Sequence, residues 1–403
     1  MADPTPPSEG GQSPAGEGEQ TRRGGLIHST GGRRKRSGRR HRGLRIAVLA
    51  TAGAVLLGTV AATALYLRFE GNISDVDIEA ALGTDRPQDV PDGSLDLLVL
   101  GSDARTGDGG GDSDEGDEGD DGARADTAMI VHVNEGYESA SIVSVPRDTL
   151  VPRPECRRED GSIAPAEDEA MFNEAYAVGG PACAVATVEK MTGIRMDHYV
   201  EIDFQGFEKI VDTLGGVDIT LTRDIQDEDS HLDLEAGTQT LDGEAALALV
   251  RTRKNVGDGS DLGRIQLQHA FIRAFAEKAA SVGVADSPRK LYDLADTATA
   301  AVTTDTALAS VPRLASLAGL LRGIDADDLQ LVTLPVEYDE RDRNRVVPLE
   351  PQTGMVWAAL RRDEPVPPEA TRGSVAEDTE AEDLVEEDGT QGPVEESVPP
   401  AAR

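Results

Sequence analysis

The run LDLLVLGSDAR, residues 95–105, decides how the chain is read. Its first six residues are almost wholly apolar, as in a strand buried on both faces in the middle of a sheet, and it ends in the charged pair Asp103 and Arg105. A second run, SIVSVPRDTL from residue 141, has the same form and passes from a β-favouring stretch into Arg147 and Asp148. In open α/β sheets ligands gather beyond the carboxyl ends of strands, so both ends are candidate edges of a site. Further strands are expected at 128–133, 199–202, 217–221 and 329–334. Helical patterns at 182–192, 204–214, 242–250 and 261–280 fill the gaps, with Gly193 and Gly215 as stops and Asp242 as a cap. Strand and helix alternate, which argues for an α/β class with a mixed central β-sheet covered by helices on both faces.

Upstream of this region, residues 46–67 hold no charge and are rich in Ala, Val and Leu. At the helical rise such a stretch spans roughly 30 Å, the thickness of a bilayer's hydrocarbon core. It reads as a transmembrane helix and is longer than the apolar part of a cleaved signal peptide. The chain is strongly acidic, with 39 Lys and Arg against 75 Asp and Glu and a net charge of -36, so general affinity for nucleic acid is not expected. Ten Lys and Arg crowd into residues 1–45, ahead of the apolar stretch. The positive-inside rule then predicts a cytoplasmic N-terminus and an extracellular domain on a single-pass anchor.

The expected domain plan is a disordered basic segment over 1–45, the span at 46–67, a linker or start of the domain over 68–94, a catalytic domain over 95–362, and a disordered acidic tail over 363–403. Within the domain, residues 106–123 carry eight acids and no base. Their composition fits a mobile acidic insertion better than a calcium loop, and no EF-hand spacing is present. Two cysteines, Cys156 and Cys183, both fall on the outer side and are expected to form a disulfide.

The chemistry-bearing residues cluster in LVRTRK and DLGRIQLQHAF, which hold Arg251, Arg253, Arg264 and Gln268. Permanently charged planar guanidinium groups in such a set hold phosphate or pyrophosphate. Arg264 and Gln268, four apart, lie on one helix face. Arg124 and Asp126 precede another strand, and carboxylates such as Asp103 and Asp126 suit Mg²⁺. Motifs for a P-loop, a nucleophile elbow or a zinc site are missing from the sequence.

Seven runs in order, LVLGSDAR, RADTAMIVHV, SIVSVPRDTL, FNEAYAVGG, TLGGVDI, LDGEAALALVRTRK and DLGRIQLQ, resemble the LytR-CpsA-Psr family of cell-wall glycopolymer ligases over roughly residues 95–280. The resemblance implies a membrane-anchored phosphotransferase that moves a glycopolymer from a polyprenyl-pyrophosphate carrier to peptidoglycan. It also implies a hydrophobic tunnel for the polyprenyl tail and Mg²⁺ on the pyrophosphate. By position, Asp103 and Asp126 would hold the metal, and Arg105, Arg124, Arg147, Arg251, Arg253, Arg264 and Gln268 would surround the phosphates. Arg147, Asp148, Arg253 and Arg264 would carry the chemistry, with Leu267 and Phe271 beside the lipid. The chain departs from the family pattern at Met171, where a lysine is frequent, at Leu267, in place of an arginine, and at His269, in place of a glutamine. Two other activities share these residue types: a non-catalytic polyprenyl-phosphate scaffold or envelope regulator, and a lipid pyrophosphatase with water as acceptor.

Overall fold

The computed structural model describes residues 38–83, 86–88, 93–102, 125–158, 160–228, 230–252, 261–281 and 288–377, without the side chains of 38–47, 125 and 288. The acidic insertion at 106–123 and most of both termini lie outside the described residues. Helix α1 (Gly38–Asn72) begins before the expected span and ends after it. Its apolar side chains, including Leu49, Val55, Leu57 and Val60, are exposed. Among the described residues it is the one helix long and apolar enough to cross a membrane.

After α1 the chain forms a seven-stranded mixed sheet. Its strands are β1 (Ser74–Val76), β2 (Leu95–Ser102), β3 (Ala125–Val133), β4 (Ala140–Ser144), β5 (His198–Asp203), β6 (Val302–Asp305) and β7 (Leu329–Thr333). Their order across the sheet is β1-β6-β5-β2-β3-β4-β7. Strand β2 runs parallel to β5 and antiparallel to β3, so the apolar run that opens the sequence argument lies at the centre. Side chains alternate across a strand. Leu98 and Leu100 therefore enter the main core on one face, while Leu97 joins Val133 and Ala140 on the other.

Helices cover both faces. Besides the short α2 (Ile78–Leu82), the main core is closed by α3 (Phe172–Thr192), which brings Phe172, Val185 and Val188. On the other face lie α4 (Phe204–Leu214), α5 (Gly243–Arg251), α6 (Asp261–Ser281), α7 (Pro288–Ala301) and α8 (Val311–Leu321), of which α8 places Leu317 and Leu321 over the outer strands. Helix α9 (Gln352–Leu360) returns to the main core and buries Trp357, the chain's single tryptophan. A second core forms where two antiparallel strand pairs, Val217–Leu221 with Gly237–Leu241 and Ile225–Asp227 with Leu232–Leu234, meet α4, α5 and α6.

The helix expected at 182–192 is the second half of α3, which is broken at Gly179 and Gly180 ahead of Pro181. The break serves a close approach, because a Cβ on Gly179 would lie 2.8 Å from the Arg157 carbonyl oxygen and 2.9 Å from Cys183 Cβ. Beside it the expected Cys156–Cys183 disulfide is formed, with the Cα atoms 5.5 Å apart. The stretch 68–94, expected as a linker or the start of the domain, contributes β1 to the sheet edge. One expected boundary moves. Residues 363–377, expected to begin a solvated tail, instead bury Val366, Ala370 and Ala376 in the main core. Their apolar side chains are spaced among acids, and burial of the former outweighs the polar composition.

Candidate active site: an arginine ledge over an apolar pocket

Strand β4 ends in a tight turn that presents Arg147 and Asp148. Thr149 closes the turn by donating its N–H to the Pro146 carbonyl at 3.0 Å and its hydroxyl to the same oxygen at 2.6 Å. The carbonyls of Arg147, Asp148 and Thr149 accept from the N–H groups of Asn173, Val346 and Phe172. The turn is thus tied on three sides, and its two charged side chains leave a fixed backbone.

Helix α6 supplies the second wall. Asp261, its first residue, accepts the Arg147 N–H at 3.1 Å on one carboxylate oxygen and forms a close ion pair with Arg264 through the other. Arg264 is almost fully buried and donates to the Asp126 carbonyl at the start of β3, 2.8 Å away. One turn along, Gln268 donates to Thr127 Oγ1 at 3.1 Å and to the Val250 carbonyl at 2.9 Å. The four-residue spacing therefore does what helical geometry requires and lays both side chains along the same strand end.

The Arg147 guanidinium sits over these groups, donating to Asp126 Oδ1 at 3.2 Å, with Asp148 at 3.5 Å and Asp261 at 3.9 Å from its Nε. That Nε is buried and makes no hydrogen bond. A buried donor without a hydrogen bond costs about 1–3 kcal/mol, and it is the sort of group that an incoming anionic oxygen satisfies. From the far side Arg345, on the strand Val346–Pro348's approach, places Nη1 3.5 Å from Asp148 Oδ1.

Directly beside Gln268 and Thr127 lies a pocket of about 210 Å³, walled largely by Val99, Phe204, Phe207, Val250, Phe271 and Phe275. Phe207 and Phe275 flank Phe271 with ring centroids at 5.4 and 6.1 Å. Arg251, the last residue of α5, stands over the Phe204 ring at 4.7 Å, a cation held at the edge of an apolar surface. Charge and apolar wall thus share one boundary.

Of the residues singled out in the sequence, Asp126, Arg147, Asp148, Arg264 and Gln268 are brought together, Phe271 lines the adjoining pocket, and Arg251 stands over the Phe204 ring of that pocket. Asp103, Arg105, Arg124 and Arg253 lie outside the described residues. Leu267 differs from its expectation: it is fully buried in the second core among Val217, Leu241 and Leu249, and the pocket wall does not include it. Asp261 and Arg345 were not singled out as functional. Asp261 carried a signal, being three residues before Arg264, while Arg345 is brought in by the fold alone.

A mixed α/β domain with a cationic ledge on the rim of an apolar pocket, preceded by a long apolar helix, defines the class. The chain belongs to the LytR_cpsA_psr family, whose profile matches residues 65–362. It is 32% identical over 292 residues to the probable cell wall biosynthesis protein LcpB of Corynebacterium glutamicum, covering 72% of this chain and 65% of that protein. It is 36% identical over 195 residues to the polyisoprenyl-teichoic acid--peptidoglycan teichoic acid transferase TagT of Bacillus subtilis, covering 47% of this chain and 54% of TagT. In both cases the match spans less than two thirds of the relative. Among solved structures, the LytR-Csp2A-Psr enzyme from Actinomyces oris shares the fold, with a TM-score of 0.53 at 24% identity over 71% of this chain and 95% of that one.

Proposed function

We propose that this protein is a membrane-anchored phosphotransferase that moves a glycopolymer from a polyprenyl-pyrophosphate carrier to peptidoglycan. The observation that carries the reading is the shared boundary between the arginine ledge and the aromatic pocket, which suits a ligand with an anionic head and an apolar tail. The names of the relatives support it.

In this reading a hydroxyl of peptidoglycan attacks the phosphorus that bears the glycan. The bond from that phosphorus to the bridging oxygen breaks, and polyprenyl phosphate leaves with the electron pair. Arg147 meets the pyrophosphate through its Nε, which makes no hydrogen bond within the protein, and Arg264 and Asp261 fix the ledge beneath it. Asp148 orients Arg147 and lies where it can accept the hydroxyl proton. Positioning and charge neutralisation supply most of the catalysis in such transfers.

The donor chemistry fits Mg²⁺, since Asp126 offers a hard oxygen at the ledge and this ion is commonly held by one or two carboxylates together with ligand phosphates. Among the described residues no group of three or more metal-ligating side chains gathers, so phosphate oxygens would complete the set. Asp126 and Asp103 are the residues that would hold it. When bound, the ion offsets negative charge on the phosphates.

The ten cationic residues of 1–45 support an orientation with the N-terminus in the cytoplasm and the domain outside. The test is transfer from a purified lipid-linked donor to peptidoglycan by the full chain in bilayers. Arg147→Ala is expected to lower the rate about 10² to 10³-fold, the usual loss for one such donor. An unchanged rate sinks the proposal, and phosphate release without glycan transfer replaces it by a pyrophosphatase.

A further inference from the structure

The last turn of α1 is clamped to α7. Arg68 donates through Nε and Nη2 to both oxygens of Asp296, at 2.8 and 2.7 Å. Asn72 donates to the same carboxylate at 3.0 Å and to Thr299 at 3.4 Å, and the rings of Phe69 and Tyr292 lie 5.5 Å apart. A third contact fixes the turn from another side, because Glu70 accepts the N–H of Val311 at the start of α8.

These contacts give α7 a direction relative to α1. Passing back along α1 from Asn72 to Phe69 corresponds to passing back along α7 from Thr299 to Tyr292. The two helices therefore run side by side in the same direction, and the start of α7 lies level with the last apolar residues of the stretch, 62–67. From Asp296 to Arg289 is seven residues, about 10 Å of helix further toward that stretch. The residues found there are Arg289, 91% exposed at its side chain, Lys290, also exposed, and Leu291, an apolar side chain 53% exposed. The acids of α7 stand behind them. Asp293 reaches back to Arg289 at 3.8 Å, and Asp296 is engaged by the clamp.

On the membrane-anchor reading above, we propose that the first turn of α7 is a membrane contact, with Leu291 entering the interface and Arg289 and Lys290 meeting anionic lipid headgroups. Basic residues flanking an apolar one suit such a surface, and attraction to anionic lipid falls off within a Debye length, so closeness to the span matters. The contact has a functional consequence. Helix α7 packs on α4 through Thr297 and Thr213 and through Ala301 and Gly206, and α4 carries Phe204 and Phe207 of the apolar pocket. Seating α7 on the bilayer therefore sets the pocket at a fixed height above the leaflet.

The test uses the full chain in nanodiscs that carry nitroxide-labelled lipid, with an environment-sensitive fluorophore on Leu291→Cys or, separately, on Val55→Cys. The native cysteines are paired and do not compete. Expected are strong quenching at both positions, and loss of most of the quenching at 291 when Arg289→Glu and Lys290→Glu are combined or when anionic lipid is replaced by zwitterionic lipid. Quenching at 55 without quenching at 291 overturns the contact and leaves the anchor standing. Absence of quenching at 55 overturns the anchor and the contact together. Quenching at 291 that is indifferent to both charge changes overturns the headgroup assignment.

Discussion

Arg264 holds two jobs at once. Its guanidinium is buried against Asp261 and the Asp126 carbonyl, so its removal strips a buried carboxylate of its partner as well as the ledge of a cation. Losing one member of a buried pair commonly costs about 3–5 kcal/mol. Arg264→Ala is therefore expected to lower the melting temperature along with transfer, whereas Arg147→Ala, on a part-exposed side chain, is expected to spare the melt. Differential scanning calorimetry beside the transfer assay separates the two. An equal melt for wild type and Arg264→Ala contradicts the structural half of this account. Sequence reasoning reached both arginines through their residue type and the i,i+4 partner of Arg264. It missed Asp261 because a first-turn acid already has a sufficient explanation as a helix start. It missed Arg345 because nothing local ties residue 345 to Asp148 when the contact is made by tertiary packing.

At the scale of elements, the strands were readable where one physical signal dominated. The apolar run of β2 demanded burial on both faces and found it. The first half of α3 was hidden by Gly179, Gly180 and Pro181, which read as a stop although the backbone resumes its helix after the break. The packed stretch 363–377 was hidden by its acids. Two element contacts carry predictions. Helices α4 and α7 touch at Gly206, where a Cβ would stand 2.5 Å from Ala301 Cβ and 2.8 Å from Ala301 Cα. Gly206→Ala is expected to destabilise by about 1–3 kcal/mol, the range for overpacking, and to reduce transfer through the Phe204 and Phe207 wall; urea unfolding and the transfer assay read the two effects. The disulfide spans 27 residues of chain, which in the chain-entropy model is worth about 3 kcal/mol. Paired Cys156→Ser and Cys183→Ser substitutions should shift the urea midpoint downward by a corresponding amount, and no shift would mean that the α3 break holds itself.

For the whole molecule, two buried histidines set opposite limits on stability with pH. His269, hydrogen-bonded to Ser144 at 2.9 Å, is pushed down to about 4 by burial, with the Arg273 charge adding to the effect. The unfolded chain takes up that proton at about 6.5, so stability is lost as pH falls from about 6.5 toward 4, by roughly 3 kcal/mol. His132 goes the other way. Burial disfavours its charge, but the carboxylates of Asp96 and Asp363, at 2.8 and 3.0 Å, outweigh burial and raise its value. Its contribution is complete below about 6.5 and is lost as pH rises through the raised value. Thermal melts across pH should show both limbs. His269→Gln, which restores the residue type the family resemblance leads one to expect, should flatten the acid limb alone.

Trp357 gives the protein a built-in optical reporter. It is the chain's sole indole and is seated in the main core with α9, while the aromatic residues of the pocket are phenylalanines belonging to the second core or its border. Intrinsic emission excited at the red edge of protein absorption therefore watches one core and is blind to the other. Circular dichroism averages over both. Superimposable unfolding curves from the two signals would mark a single cooperative transition, and a circular-dichroism change that precedes the emission change would mark the ligand-facing half as the part that opens first.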